Sequence, residues 1–288
     1  MKSIIQHLRL PFSLFLMPVY WFAYSQSQMP NHAKAIWSFL ILHLLVYPAS
    51  NAFNSYFDKD EGPIGGIEKP LPVNLQLYFV ANSLDFVALL LAIIFCSLPF
   101  ALAILIYILI SKAYSHPSIR LKKYPFLSWA IVGFFQGAFV YLAVYQLISD
   151  SSAAFVDKLT WFPALLASLN LWAFYPITQI YQHDEDAKRG DITMSLKLGI
   201  RGTFVFTGIL FFISAIGFYF FFKTEYELFS NSILRFILCM SPALIYYNYW
   251  VLKSWKNASL ANFKNTMIMN ILGSICLNLF FLLEIFYK

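Results

Sequence analysis

Residues 74–114 read NLQLYFVANSLDFVALLLAIIFCSLPFALAILIYILISKAY and carry only two charged side chains, Asp85 and Lys112. Ser97 and Pro99 interrupt this stretch near its middle and leave an apolar run on each side. A helix needs about 20 apolar residues to cross roughly 30 Å of hydrocarbon, which is close to the length of each run. The stretch therefore predicts a transmembrane helical hairpin.

The whole chain has the same character. Of its 288 residues, 60% are hydrophobic and 12% are charged, with a mean hydropathy of +0.65. Globular domains are about 25% charged, so an ordinary soluble enzyme is excluded. We expect an all-α, polytopic membrane protein that forms a single domain over residues 1–288. Its nine predicted transmembrane helices cover residues 10–27, 33–54, 74–95, 98–114, 126–148, 161–182, 203–222, 230–252 and 266–286.

Basic residues predict the orientation of these helices. If the helices alternate in direction, 15 Lys and Arg fall on the N-terminal side of the membrane and four on the other side. Cytoplasmic loops carry the excess of Lys and Arg, so the N-terminus is predicted to be cytoplasmic and the C-terminus to lie outside. We expect a bacterial inner (plasma) membrane protein. The net charge of +6 suits anionic lipids and requires no nucleic acid.

Acidic residues are few and concentrated. The chain has 14 Asp and Glu, and eight of them lie in the loops after the second and sixth predicted helices, at Asp58, Asp60, Glu61, Glu68, Asp184, Glu185, Asp186 and Asp191. Both loops lie on the predicted cytoplasmic face. Because they stand four helices apart, we expect two similar four-helix halves plus a ninth helix around a central cavity.

The spacing within each loop is helical. Steps of three or four residues separate the members of two polar sets, Asn51, Asn54, Asp58 and Glu61 in the first and Tyr175, Gln179, Gln182 and Asp186 in the second. If the helices continue through these residues, each set lies on one helix face. Carboxylate and amide oxygens suit Mg²⁺, which is commonly shared with substrate phosphates. The alternative, two solvated polar loops without a ligand, stays open at this point.

Basic residues lie beside the acidic loops, at Lys69, Lys122, Lys123, Lys188 and Arg189. Lys and Arg next to Mg²⁺ would bind a diphosphate. For Lys122 and Lys123 an equal alternative is that they only fix the orientation in the membrane.

Four segments in this order resemble the UbiA superfamily of intramembrane aromatic prenyltransferases, which has nine transmembrane helices and Asp-rich loops after the second and sixth. Asn54 and Asp58 match the first two positions of its NxxxDxxxD motif, and Lys69-Pro70-Leu71-Pro72 is similar to its basic-Pro-Leu element. Residues 114–122 resemble the Tyr-Ser…Leu-Lys element of the chlorophyll synthase branch. Residues 186–199 are similar to the family's D-x-x-x-G-x-x-T-L-x-x-x-x-G segment.

The resemblance implies Mg²⁺-dependent transfer of a prenyl group from a prenyl diphosphate to an aromatic or other lipophilic acceptor within the membrane. It implies Asn54, Asp58, Glu61 and Asp186 as metal ligands, with Asp60, Gln182, Asp184 and Glu185 in support. The implied diphosphate-binding residues are Arg9, Lys69, Tyr114, Lys122, Lys123 and Arg189. Among polar residues within predicted helices, Asp85 and His43 are candidates for contact with the acceptor.

Two positions depart from the family motifs. Gly62 stands where the first motif has its last Asp, and Gln182 stands where the second motif has its first Asp. Each of the two implied metal sites loses a standard ligand, and Glu61, Asp184 or Glu185 would have to replace it. The alternative function is a catalytically degenerate family member that acts as a lipid-binding protein, a transporter or a scaffold.

Overall fold

The protein folds into a bundle of helices. The structure, a computed structural model, describes residues 1–225 and 229–287. The helices are α1 (Lys2–Leu8), α2 (Met17–Gln26), α3 (His32–Asp58), α4 (Leu75–Phe95), α5 (Leu98–Ser115), α6 (Pro125–Ile148), α7 (Lys158–Gln179), α8 (His183–Arg189), α9 (Met194–Glu225), α10 (Phe229–Lys256) and α11 (Phe263–Phe286). Within the described ranges the β structure is limited to one isolated bridge between Ile64 and Ile67. The all-α prediction is therefore confirmed.

Six helices are long and apolar enough to cross a membrane: α3, α4, α5, α6, α9 over Met194–Lys223, and α11. The predicted helix at 10–27 is instead divided at Leu16 into a 3₁₀ helix, Leu10–Phe15, and the short α2. The predicted helices at 161–182 and 230–252 correspond to α7 and α10, which are not among these six helices. Nine transmembrane helices and their division into two halves stay predictions.

Two helices contain a π-helical turn, at Ile41–Val46 in α3 and at Phe134–Phe139 in α6. The first lies just before Pro48, whose missing N–H interrupts the regular hydrogen-bond ladder. In the second, the backbone N–H of Ala138 donates to Ser168 Oγ of α7 at 2.8 Å. A Cβ atom at Gly137 would lie only 2.5 Å from Ser168 Cα. Glycine thus allows α6 and α7 to pack closely.

An aromatic core joins α2, α9 and α11 at the end of the bundle away from the acidic loops. Its fully buried members are Phe22, Phe218, Phe221, Phe222 and Phe280. The stacked rings of Phe22 and Phe281 have centroids 4.5 Å apart. Two other phenylalanines of α9, Phe212 and Phe220, are exposed, as expected for side chains that face lipid. The phenylalanines of α9 thus pack partly in the bundle interior and partly on its surface.

The two polar residues proposed for the acceptor both lie inside the bundle. Asp85 is bound by Lys112, with 2.7 Å between Oδ2 and Nζ. His43 packs against the rings of Phe39 and Tyr47. Neither Asp85 nor His43 lines the large cavity described below. Their contact with an acceptor stays a prediction, and interhelical packing accounts for their burial.

Candidate functional site

A cavity of about 280 Å³ extends from the acidic loops into the bundle. We call its charged end the mouth, which is lined by Arg9, Asp58, Asp60, Lys122, Gln182, Asp186, Arg189 and Asp191. Its inner end, the floor, is lined by the polar residues Gln136, Asn170, Asn270 and Ser274 and by apolar residues that include Phe22, Leu277 and Phe281. At 1.5 Å rise per residue, the four polar floor residues lie about 10–16 Å along their helices from the helix ends nearest the mouth.

The first acidic loop begins where α3 ends. Lys59 adopts a left-handed conformation (φ 50°, ψ 43°) and terminates the helix directly after Asp58. Asn51, Asn54 and Asp58 therefore share a helix face, and all three line the cavity. The predicted helical continuation to Glu61 is wrong: Glu61 is exposed and lies outside the cavity lining.

The second polar set keeps its common direction across a break in the helix. α7 ends at Gln179 and α8 begins at His183, yet Tyr175, Gln179, Gln182 and Asp186 all line the cavity. The Tyr175 hydroxyl lies 2.5 Å from that of Tyr114 on α5. This face of α7 and α8 therefore continues from the mouth toward the floor.

Lys122 lies between two carboxylates. Its ammonium group forms an ion pair with Asp58, and its Nζ lies 3.4 Å from Asp191 Oδ2. The guanidinium of Arg120 donates two hydrogen bonds to the same Asp191 carboxylate, at 2.9 and 2.8 Å. The side chains of Lys122, Asp58 and Asp191 are all less than 10% exposed. Lys122 therefore joins the end of α3 to the second acidic loop through a buried network.

Arg189 makes a second link between the loops. It forms an ion pair with Asp60 of the first loop, and its Nη2 lies 3.7 Å from Asp186 Oδ1 of the second. Its Nη1 donates to the backbone carbonyl of Asp58 at 3.4 Å. Asp58, Asp60, Asp186 and Asp191, the four carboxylates of the mouth, thus each contact a Lys or Arg side chain.

Two of these carboxylates differ in their pKa. Burial raises the pKa of Asp186 to about 7, although the Thr193 hydroxyl donates to it at 3.1 Å and Arg189 and Lys122 lie nearby. Burial also acts on Asp191, but the hydrogen bonds and charges of Arg120 and Lys122 outweigh it and lower its pKa. Asp186 is therefore the less well compensated carboxylate, and a cation bound beside it would favour its charged form.

Arg9 is the contrasting basic residue of the mouth. Its Nη1 donates to Gly65 O and its Nη2 to Asn51 O, each at 3.3 Å. None of the ion pairs among the described side chains includes Arg9, and its Nε has no hydrogen-bond partner there. Burial lowers the pKa of the guanidinium, while Tyr181, Asp60 and Asp58 oppose this effect. A partly buried cation without an ion-pair partner favours an anionic ligand.

Of the predicted site residues, Arg9, Asn54, Asp58, Asp60, Tyr114, Lys122, Gln182, Asp186 and Arg189 line the cavity. Glu61, Lys69, Lys123, Asp184 and Glu185 lie outside its lining. Lys69, Lys123 and Asp184 are exposed, and the ammonium of Lys123 lies over the ring of Tyr124 at 5.0 Å. The individual roles of all these residues stay predictions.

The polar floor residues were not among the predicted site residues. Asn270 is only 3% exposed, and neither polar atom of its amide has a hydrogen-bond partner among the described residues. Asn170 accepts a hydrogen bond from Ser214 through its Oδ1 at 2.9 Å. In the sequence, Asn170 and Asn270 are each an amide inside an apolar run. Such an amide indicates either a hydrogen bond between helices or a ligand-binding site.

The mouth fits Mg²⁺ only in part. Asp58, Asp186, Asn54 and Gln182 supply the hard oxygen donors that this ion prefers. Within the described ranges, however, no group of three or more His, Cys, Asp or Glu is placed to bind one metal ion. The residues therefore suit an ion held by one or two carboxylates and completed by water and ligand oxygens, rather than a centre made by protein alone.

Solved structures of other proteins share the fold of this chain. A UbiA homologue from Archaeoglobus fulgidus bound to Cd²⁺ is similar with a TM-score of 0.68 and 18% identity, over 98% of this chain and 99% of the other. The same homologue bound to DMAPP and Mg²⁺ gives a TM-score of 0.64 and 16% identity, over 99% and 100%. A structure of digeranylgeranylglyceryl phosphate synthase gives 0.59 and 18%, over 99% and 98%.

At the sequence level, no curated protein matches the chain. The UbiA prenyltransferase family matches residues 15–272, which include the carboxylates of the mouth and the polar residue Asn270 of the floor. A match over most of the chain, together with the similar fold, settles the family. The chain belongs to the UbiA prenyltransferase family.

Proposed function

We propose that this protein transfers a prenyl group from a prenyl diphosphate to a lipophilic acceptor, within the membrane. The observation that carries the proposal is the mouth of the cavity. There the guanidinium of Arg9, which has no ion-pair partner among the described side chains, lies near Asp58 and Asp60 and shares the cavity lining with Asp186 and Asp191 of the second loop. Family members are prenyltransferases, and a homologue structure is described as bound to GPP and Mg²⁺. An anion-binding end joined to an apolar interior suits a ligand with a charged head and an isoprenoid tail.

The diphosphate binds at the mouth. Arg9, Lys122 and Arg189 contact the diphosphate oxygens. The Tyr114 hydroxyl donates a hydrogen bond to the diphosphate from the side of the floor. Asp58 and Asp186 would hold Mg²⁺, with Asn54 and Gln182 as supporting oxygen donors. When bound, the ion withdraws electron density from the diphosphate and so makes it a better leaving group.

The reaction breaks the bond between the allylic carbon and the diphosphate oxygen, which keeps the electron pair. Lys122 and Arg9 stabilise the negative charge that develops on this oxygen. The allylic cation is held against the aromatic faces of Phe174 and Tyr175, each contact worth roughly 0.5–2 kcal/mol. A π-electron pair of the acceptor then forms the new carbon–carbon bond, and the proton lost by the acceptor passes to the released diphosphate.

The floor receives the lipophilic groups. Its rings and aliphatic side chains suit an isoprenoid tail, and its amides suit an uncharged polar substituent on the acceptor, such as a hydroxyl or a carbonyl. Asn270 supports this assignment because its amide is buried without a partner in the described structure. A hydrogen bond to the acceptor would remove this unfavourable state.

The mouth faces the cytoplasm of a bacterial cell and the C-terminus lies outside, in keeping with the distribution of Lys and Arg. A water-soluble diphosphate head group then reaches Arg9 from the cytoplasm while its tail stays in the bilayer. Residues 1–288 act as one transmembrane catalytic domain. The oligomeric state is left open by this proposal.

The test is incubation of the purified protein with radiolabelled geranyl diphosphate, a panel of phenolic and quinol acceptors, and either Mg²⁺ or EDTA. We expect diphosphate release and a labelled lipophilic product with Mg²⁺, and loss of both in Asp58→Ala. If no acceptor and no metal condition gives diphosphate release, the enzymatic proposal is wrong.

A second candidate function is binding of an anionic lipid without chemistry. It is favoured by the ion pairs at the mouth, because each of the four carboxylates already contacts a Lys or Arg. Binding of labelled geranyl diphosphate without its turnover, in the same experiment, would support this candidate.

A further inference from the structure

The two acidic loops contact each other directly. Glu185 of the second loop accepts hydrogen bonds at its Oε1 from the backbone N–H groups of Glu61 (3.1 Å) and Gly62 (3.4 Å). Gln182 donates from Nε2 to the backbone carbonyl of Pro63 at 3.1 Å. The polypeptide of the first loop is therefore held by two side chains of the second.

Arg189 adds a charged link. Its guanidinium contacts Asp60 in the first loop and lies 3.7 Å from Asp186 in its own loop. Both carboxylate side chains are less than 10% exposed. A guanidinium between two buried carboxylates neutralises them from a fixed position, which is the electrostatic role of a cation bound between two acidic loops.

Gly62 and Gln182, the two departures from the family motifs, both lie at the contact between the acidic loops. A Cβ atom at Gly62 would lie 2.5 Å from Glu185 Oε2, so an Asp at this position would require the Glu185 carboxylate to move and would place a second negative charge beside it. At position 182 an amide donates to a carbonyl, which an ionised Asp cannot do. Gly62 and Gln182 thus permit a direct contact between the loops, whereas the two Asp residues of the family motif would add negative charge beside Glu185 and remove the hydrogen bond to Pro63.

We propose that Glu185, Gln182 and Arg189 hold the two acidic loops together without a metal ion, and that Arg189 replaces one of the two ions that the family motifs imply. The mouth then binds a diphosphate with at most one divalent ion. The identity of the ligand rests on the proposed function, but the closure of the loops does not. It depends only on contacts within the chain.

The first test measures amide hydrogen exchange in residues 59–65 of the full chain in detergent, in EDTA and in excess Mg²⁺. We expect the Glu61 and Gly62 amides to exchange at least about tenfold more slowly than in Glu185→Ala, and Mg²⁺ alone to change the wild-type rates by less than about twofold. Glu68→Ala, which removes an exposed carboxylate of the same loop, is the control. Fast exchange in EDTA that becomes slow only with Mg²⁺ would overturn the proposal, and this comparison needs no variant.

The second test counts bound Mn²⁺ by electron paramagnetic resonance in the presence of excess inorganic diphosphate. No ion or one ion per chain supports the proposal, and two ions per chain contradict it. The two proposals can fail separately. A protein that never releases diphosphate from geranyl diphosphate would contradict the proposed function, but it can still show slow exchange of the Glu61 and Gly62 amides in EDTA.

Discussion

The mouth and the floor of the cavity differ in which polar side chain lacks a partner among the described residues. At the mouth every carboxylate contacts a Lys or Arg, and the group without an ion-pair partner among the described side chains is the cation Arg9. At the floor the neutral amide of Asn270 has no hydrogen-bond partner among the described residues. The first end is therefore suited to an anion and the second to an uncharged hydrogen-bonding group. Substitutions at each end test this division.

The largest effect is expected for Lys122→Met, which leaves Asp58 without its ion pair and removes a contact to Asp191. Removal of one partner of a buried ion pair costs about 3–5 kcal/mol, so we expect a large drop in the thermal unfolding midpoint and loss of geranyl diphosphate turnover. Differential scanning fluorimetry in detergent and the labelled-product assay measure the two effects.

The double variant Lys122→Met/Asp58→Asn is the matched control, because it removes both charges of the pair. It should recover part of the stability but none of the activity. Equal instability of the single and double variants would show that the Lys122 charge is not paired with Asp58 in the folded protein.

Arg9→Gln comes next. Hydrogen bonds to a charged group contribute about 1.5–3 kcal/mol, so loss of the guanidinium should lower kcat/KM for geranyl diphosphate by about 10- to 100-fold. Because the substitution breaks two hydrogen bonds to backbone carbonyls but leaves no carboxylate without an ion pair, the loss of stability should be smaller than for Lys122→Met. Steady-state kinetics with varied donor concentration measure the effect. Arg201→Gln, which removes an arginine outside the cavity lining, provides the comparison.

Asn270→Leu tests the floor, and its two expected effects have opposite signs. The substitution removes an amide that has no hydrogen-bond partner in the described part of the chain, so the folded protein should become more stable by about 1 kcal/mol. At the same time the KM for a phenolic acceptor should rise about tenfold, with an unchanged KM for geranyl diphosphate. A rise in the donor KM instead would assign Asn270 to the prenyl tail.

The mouth was largely predictable from the sequence and the floor was not. Clustered carboxylates, helical spacing and nearby basic residues are local signals, and the structure places Asn54, Asp58 and Asp186 in the lining of one cavity. The end of α3 at Lys59 was missed, because a left-handed residue other than glycine leaves little trace in the sequence. Asn270 was missed because an amide inside an apolar run is equally compatible with interhelical bonding, and only the packing of α11 against its neighbours decides its environment.

The smallest effect is expected for Lys69→Ala and Lys123→Ala. Both residues were predicted to bind diphosphate, but both side chains are exposed and neither lines the cavity. An exposed charge outside the mouth is screened by salt, so each variant should change kcat/KM for geranyl diphosphate by less than about twofold at 0.15 M ionic strength. At low ionic strength the difference should grow slightly, because long-range attraction of the anionic donor is then less screened. A loss as large as that of Arg9→Gln at both salt concentrations would place these lysines in contact with the diphosphate and extend the mouth beyond its present lining.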